Sequence, residues 1–389
     1  MKKNILIVGG AGHIGLPLGL LLANKGQNVI LYDKNKKTIN KINSLKMPFM
    51  EEGGNKLLLK NKKRIFATNR KLYVKKAEII IICIGTPIKK NKKPDLVFFF
   101  KLFREIKNFL DPNQLIIIRS SIFPGTCQKV SNFLGKNFKN ISYCPERVVQ
   151  GKSVTELPKL PQIISGLSKK AIIESQLLFN LICHKTIVTS VTEAELIKLF
   201  SNAWRYINFS IANQFYMICE NLGINFKSLR KNMITGYVRN KGIPLPGFAA
   251  GPCLYKDTEQ LNSYFKEEFN LGKIAININE SLPNFIYKKL KDKFRNNLRN
   301  KVIGILGIAF KANIDDVRDS LAIKLMKLLQ QKGFKVIFSD YLVKMKNNIS
   351  TKKLVSKSDI IIIGAPHNVY KNLKFKKDKY LVDTWGMFK

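Results

Sequence analysis

A chain of 389 residues with 45% apolar side chains can bury well-formed cores, which excludes a disordered polymer and predicts two or three domains. Its formal net charge of +42 is spread along the chain rather than gathered in a tail or interleaved with aromatics, so nucleic-acid binding is not expected as the primary role, although attraction of an anionic substrate is. No run approaches the roughly 20 apolar residues of a membrane span, and "MKKNILIVGG" passes straight into a strand-like pattern rather than a signal peptide, so a cytoplasmic protein without a membrane partner is expected.

In chain order, "NILIVGG", "NVILYDKN", "AEIIIICIGTP" and "QLIIIRSS" are short β-branched runs bounded by Gly, Pro or Asn, separated by helical periodicity such as "HIGLPLGLLLANKG". Such runs are strands buried on both faces, and the helices between them make the sheet parallel. Residues 1–188 are therefore predicted to be a doubly wound, Rossmann-like α/β domain. From residue 189 to 295 the strand signal disappears. "TSVTEAELIKLFSNAWRYINFSIANQFYMICENLGIN" has helical periodicity, with Thr192 and Glu195 in capping-box spacing and Gly223 as a stop, which predicts a helical middle with a long spine helix and a dimer interface. Strand–helix alternation resumes over 296–389 with "KVIGILGIAF", "DSLAIKLMKLLQQKG", "KVIFSDYL" and "KSDIIIIGAP", predicting a second Rossmann-like unit. Ligands of open α/β sheets bind beyond the carboxyl ends of the strands, so the candidate residues are sought there.

"VGGAGHIG" places Gly10, Gly12 and Gly15 in GxGxxG spacing between a strand and a helix, with His13 and Ile14 inside the turn. This spacing suits a pyrophosphate on a helix N-terminus. Asp33, closing "NVILYD", can accept hydrogen bonds from a ribose diol, and its charge disfavours a 2′-phosphate, so NAD is expected rather than NADP even though Lys34 and Lys36 stand close by. Thr86, Ser121 and Glu146 each follow an apolar run at a predicted strand end. Glu146 reads either as a base beside the cofactor or as the partner of a lysine salt bridge. Lys198 and Asn202 share a helix face, with Arg205 close to it, and read as donors to a developing oxyanion or as solvated surface.

The six cysteines show no CxxC pair and there are three histidines, so neither a zinc site nor a disulfide framework is expected, and no metal. Cys253 stands apart. It ends the small-residue loop "PGFAAGPC" and is followed by Lys256 and Asp257, a setting for a nucleophilic thiolate beside a group that can activate water.

The ordered set "VGGAGHIGLP", "GTP", "SSIFPGT", "CPERVVQGK", "AELIKLFSNAWRYINFSIANQF", "GFAAGPCLYKDTEQL", "GIAFKANIDDVRDS" and "DTWG" resembles the nucleotide-sugar dehydrogenases over nearly the whole chain. The resemblance implies two oxidations at C6 of a UDP-hexose, with two NAD and one water consumed. In it Cys253 is the nucleophile, Lys198 and Asn202 stabilise the oxyanion, Asp257 positions or activates water, and Glu146 is the base for thioester hydrolysis. It further implies NAD contacts from Gly10, Gly12, Gly15, Asp33, Thr86, Ser121, Lys256 and Arg318. Sugar-nucleotide contacts are implied for Lys311, for the loop of Phe248, Ala250 and Gly251, and for Arg239 reaching across a dimer. UDP-glucose is the expected substrate, with UDP-N-acetylglucosamine or UDP-N-acetylmannosamine as the alternative. A single-step hydroxyacid or acyl dehydrogenase and a non-catalytic basic scaffold are the rival readings.

Overall fold

The computed structural model describes residues 2–86, 96–248, 251 and 253–388. By its contacts the chain divides into two units, Met1–Phe200 and Ser201–Lys389. No helix among the described residues is long and apolar enough to cross a membrane.

The first unit is built on eight strands: β1 (Asn4–Val8), β2 (Asn28–Tyr32), β3 (Ile65–Thr68), β4 (Ile79–Ile82), β5 (Leu115–Ile118), β6 (Ile141–Tyr143), β7 (Gln162–Gly166) and β8 (Thr186–Val188). They lie in the order β3-β2-β1-β4-β5-β6-β7-β8, and every neighbouring pair is parallel except β6 and β7. Between them run α1 (Gly15–Asn24), α2 (Lys36–Asn43), α3 (Gly54–Lys60), α4 (Leu96–Ile106), α5 (Thr126–Leu134), α6 (Ser153–Glu156) and α7 (Lys169–Phe179).

The doubly wound character follows from alternation along β1. Ile5 and Ile7 pack into one apolar cluster with Leu16, Leu20 and Phe179, while Leu6 and Val8 pack into the other with Phe99, Phe103 and Val130. Both faces being covered, the central strands β4 and β5 are continuous apolar runs; β4 is four buried isoleucines. Each contributes about 1.5–3 kcal/mol by leaving water.

α8 (Val191–Asn221) runs 31 residues, and the division between the units falls inside it. The chain leaves it through Gly223 at φ +70°, as the sequence predicted. The cap at its other end differs from the Thr192–Glu195 expectation. Ser190 and Glu193 form the capping box: the Glu193 backbone N–H donates to Ser190 Oγ (3.2 Å) and the Ser190 backbone N–H to Glu193 Oε2 (2.9 Å). Glu195 is buried and serves another helix. Its carboxylate accepts from the backbone N–H groups of Gly125 (2.6 Å) and Cys127 (3.0 Å) at the start of α5.

The second unit continues with α9 (Phe226–Ile234), α10 (Leu254–Phe265) and α11 (Asn270–Phe294), then alternates β9 (Val302–Leu306), α12 (Leu321–Gln331), β10 (Lys335–Ser339), α13 (Thr351–Lys357), β11 (Ile360–Ile363) and β12 (Tyr380–Val382). Its four strands are all parallel, in the order β10-β9-β11-β12. Tyr216 of α8, Leu282 and Ile286 of α11, Ile303 and Ile305 of β9 and Leu325 of α12 belong to one apolar cluster, so helical middle and C-terminal sheet share a core.

Candidate active site

In the first unit the glycine turn is shaped by contact distance. A side chain at Gly15 would place its Cβ 2.5 Å from the Gly9 carbonyl oxygen, and one at Gly10 would lie 2.7 Å from the Leu31 Cα, so helix, turn and strand close only on hydrogen atoms. No side chain caps α1, whose N-cap is Ile14, whereas α2 is capped by Asn35. The Leu16 N–H donates to the Gly12 carbonyl (3.1 Å) and Pro17 has no N–H, so in the first turn of α1 the Gly15 N–H is the donor left for an anionic ligand. Asp33 closes the turn, Oδ2 accepting from the Ala11 N–H (3.1 Å) and Oδ1 from the Asn35 N–H (3.0 Å). His13 stacks against Phe49 with ring centroids 3.9 Å apart, and its Nδ1 lies 3.3 Å from Gln150 Nε2. The turn, the uncapped helix and the carboxylate at the end of β2 fit a dinucleotide.

The adjoining rim is ordered by polar contacts. Thr86 Oγ1 donates to the Ser121 carbonyl (2.7 Å) and Ser120 Oγ to the Ile84 carbonyl (2.7 Å), tying the ends of β4 and β5 together. Glu146 is buried, and its partner is an arginine, not the lysine considered from sequence. Arg119, fully buried, donates Nη2 to Glu146 Oε2 and Nη1 to Gln162 Oε1 (3.0 Å), its guanidinium 4.9 Å from the Phe179 ring centroid. Glu146 Oε1 accepts from the backbone N–H groups of Arg147 (2.8 Å) and Val148 (3.0 Å). Burial pushes this carboxyl up, but the Arg119 charge, these hydrogen bonds and Lys198 outweigh it and hold it below its ordinary value. Glu146 is thus ionised at neutral pH and a weak proton acceptor. Lys198 lies half-buried on α8.

In the second unit Cys253 is the N-cap residue of α10 and, of the six cysteines, the exposed one. The loop leading to it contains two glycines at which a side chain would be strained and crowded. Gly251 has φ +104° and a Cβ there would lie 2.5 Å from the Phe310 ring; Gly247 has φ +149° and would meet Trp385 at 2.3 Å. A buried amide relay anchors the same loop: the Gly247 N–H donates to Asn213 Oδ1 (2.8 Å), Asn213 Nδ2 to Asn279 Oδ1 (2.8 Å), and Asn279 Nδ2 to the Tyr206 carbonyl (3.1 Å). One turn beyond the thiol, Asp257 is fully buried, its Oδ2 accepting from Asn202 Nδ2 (2.6 Å) and its Oδ1 3.1 Å from Lys256 Nζ. Asn202 and Asp257, 55 positions apart, are thereby brought together.

A family model for UDP-glucose/GDP-mannose dehydrogenases matches in three parts: the NAD binding domain over residues 3–182, the central domain over 192–281 and the UDP binding domain over 304–389. The chain belongs to this family of nucleotide-sugar dehydrogenases. It is an NAD-dependent oxidoreductase. Similar curated relatives include the UDP-N-acetyl-D-mannosamine dehydrogenases of Pyrococcus horikoshii, 31% identical with 98% of this chain and 95% of the relative covered, and of Methanocaldococcus jannaschii, 31% identical with 98% and 92% covered. Among solved structures, the UDP-D-ManNAc dehydrogenase of Pyrococcus horikoshii superposes with a TM-score of 0.91 at 29% identity, covering 99% of this chain and 96% of that one.

The dehydrogenase departs from the sequence expectation at Phe248. That side chain is 1% exposed and packed in the core of the second unit, so a role at the sugar is left to its backbone. Ala250, and Pro87 of the "GTP" motif, lie outside the described residues. Arg239 is exposed and lies against Tyr237, its Nη1 3.3 Å from the phenol oxygen. Lys311 is half-buried on the loop after β9; Arg318, farther along it, forms a forked pair with Asp316, Nε lying 3.0 Å from both carboxylate oxygens. Arg205 is exposed. Sequence reasoning passed over Arg119, although it stands at the end of "QLIIIRSS" beside the serines it singled out, and over Asn213 and Asn279, which a helical pattern cannot distinguish from surface amides.

Proposed function

We propose that the dehydrogenase oxidises C6 of a UDP-N-acetylhexosamine, with UDP-N-acetylmannosamine the first choice, to the uronate through a covalent intermediate on Cys253. The observation that carries the chemistry is the exposed thiol at the head of α10, on a loop that Gly247 and Gly251 lock, with buried Asp257 one turn away. The choice of sugar rests on two relatives at 31% identity, those of Pyrococcus horikoshii and Methanocaldococcus jannaschii, which are named for UDP-N-acetyl-D-mannosamine. This favours the alternative over UDP-glucose.

NAD, when bound by Gly10, Gly12, His13, Ile14, Gly15, Asp33, Thr86, Ser121, Lys256 and Arg318, supplies the hydride acceptor for both oxidations. After the alcohol has lost a hydride and a proton, the Cys253 sulfur adds to the aldehyde carbon and forms a thiohemiacetal. Loss of a second hydride and proton leaves the thioester, and water cleaves its C–S bond, returning the thiol and releasing the carboxylate. The covalent hold keeps the aldehyde from escaping between oxidations. Lys198 and Asn202 donate to the oxygen as charge develops on it. Asp257 orients the water, and Glu146 with Arg119 presents a fixed anionic acceptor to the substrate hydroxyl or the water. Lys311 and the backbone around Phe248, Ala250 and Gly251 hold the sugar nucleotide, with Arg239 contributed across a homodimer.

NADH absorbance, read with purified protein, NAD and a panel of UDP-hexoses and UDP-N-acetylhexosamines, tests this. Two NADH per UDP-N-acetylmannosamine, a lower kcat/KM on UDP-glucose, and a C253S enzyme that forms no uronate are expected. Higher kcat/KM on UDP-glucose would overturn the choice of sugar; normal turnover by C253S would overturn the covalent route.

A further inference from the structure

The loop from Gly307 to Arg318 leaves the sheet after β9; the Gly307 N–H still donates to the Ser339 carbonyl of β10 (2.8 Å), and the donors beyond it must be met off the ladder. Much of that role falls to two buried side chains at the ends of the neighbouring strands. Asp340, after β10, accepts at Oδ2 from the backbone N–H groups of Ile308 (2.8 Å) and Ala309 (3.1 Å), and at Oδ1 from those of Leu342 (3.0 Å) and Val343 (3.2 Å). His367, after β11 and fully buried, lies with Nε2 3.1 Å from Asp340 Oδ2, while its Nδ1 is 2.8 Å from the backbone nitrogen of Asn313.

A peptide N–H can only donate, so Nδ1 is the bare nitrogen and the ring proton sits on Nε2, directed at Asp340. Asn313, which receives this support, is in the left-handed region at φ +59°, where a non-glycine residue needs external bonds to hold it. Its side chain closes the arrangement by accepting from the Asn368 N–H (3.0 Å). The rings of Tyr341 and Tyr370 pack edge-on to the imidazole at 5.1 and 5.3 Å, fixing its plane. One Asp–His dyad therefore ties together the loops after β9, β10 and β11, and the first of these carries Lys311.

We propose that His367 and Asp340 are positioning residues for nucleotide binding: the neutral imidazole, bridging Asp340 and the Asn313 amide, holds the Lys311 loop in the register that engages the UDP moiety. This rests on the reading of Lys311 as a nucleotide ligand. Calorimetric titration of the full chain with UDP tests the two separately. K311A and H367L are each expected to weaken UDP by about tenfold, and the double variant to be no weaker than K311A within about threefold, because both act through one side chain. H367N, whose amide oxygen can still accept from Asn313, should stay within about threefold of the parent.

A folded H367L that binds UDP as tightly as the parent, or a double variant whose losses multiply, would overturn the proposal. An unchanged K311A with a weakened H367L would remove Lys311 from the nucleotide site while supporting the clamp on the loop as a whole. Should H367L fail to fold, the imidazole nitrogen spectrum of the native chain decides, since only three histidines are present. A ring protonated at Nε2 and bare at Nδ1 is expected; the opposite tautomer or an imidazolium at neutral pH overturns the proposal.

Discussion

Taking the guanidinium from Arg119 would leave Glu146 buried with backbone donors as its remaining close partners. A buried pair of this kind is costly to break from one side, so R119Q should lower stability by about 3–5 kcal/mol in urea unfolding, and R119Q/E146Q should recover part of that. The pH dependence supplies the sign. In the parent, Glu146 lies below its ordinary value, so its contribution is present above that value and is lost as pH falls through the lowered one. In R119Q burial dominates and raises the carboxyl, so stability should instead fall as pH rises through the weakly acidic range. Parallel pH–stability curves for parent and R119Q would refute this account. Sequence alone could place Glu146 at a strand end, with a lysine as the expected partner, but could not find Arg119, because Arg119 and Glu146 are 27 positions apart and meet through pairing of β5 with β6.

At the scale of elements, the start of α8 separates two readings that differ by two residues. Ser190 and Glu193 make the reciprocal cap, so S190A should destabilise by about 1 kcal/mol, while T192A should stay within about 0.5 kcal/mol of the parent in thermal unfolding. The Thr192–Glu195 spacing matched the same pattern. Tertiary structure diverted Glu195 to the N-terminus of α5, where two backbone amides donate to it although burial still pushes its carboxyl above the ordinary value. The loop before α10 is the second test. G251A forces a Cβ into the Phe310 ring at a φ that alanine rarely adopts, and is expected to cut kcat at least about tenfold by displacing Cys253. Wild-type kcat in a folded G251A would show that the loop is not fixed in the way described.

For the whole molecule, the net charge of +42 should act as a field rather than through any single contact. A UDP-sugar carries negative charge, so kcat/KM should fall as salt rises from about 50 to about 500 mM, over which the Debye length shortens to a few ångströms. A flat salt profile would show that the lysines merely solvate the surface. The sequence by itself determined the doubly wound fold and the dinucleotide turn, because strand runs, glycine spacing and the aspartate after β2 act over about 30 residues, within the reach of local sterics and periodicity. It also marked Cys253, whose neighbours in the chain are its neighbours in space. Tertiary structure alone decided the arginine opposite Glu146, the burial of Phe248, the pairing of Asn202 with Asp257 and the dyad of Asp340 with His367. Each of these depends on which donors and acceptors are left facing one another once water is excluded, and strand order and helix packing set that, not distance along the chain.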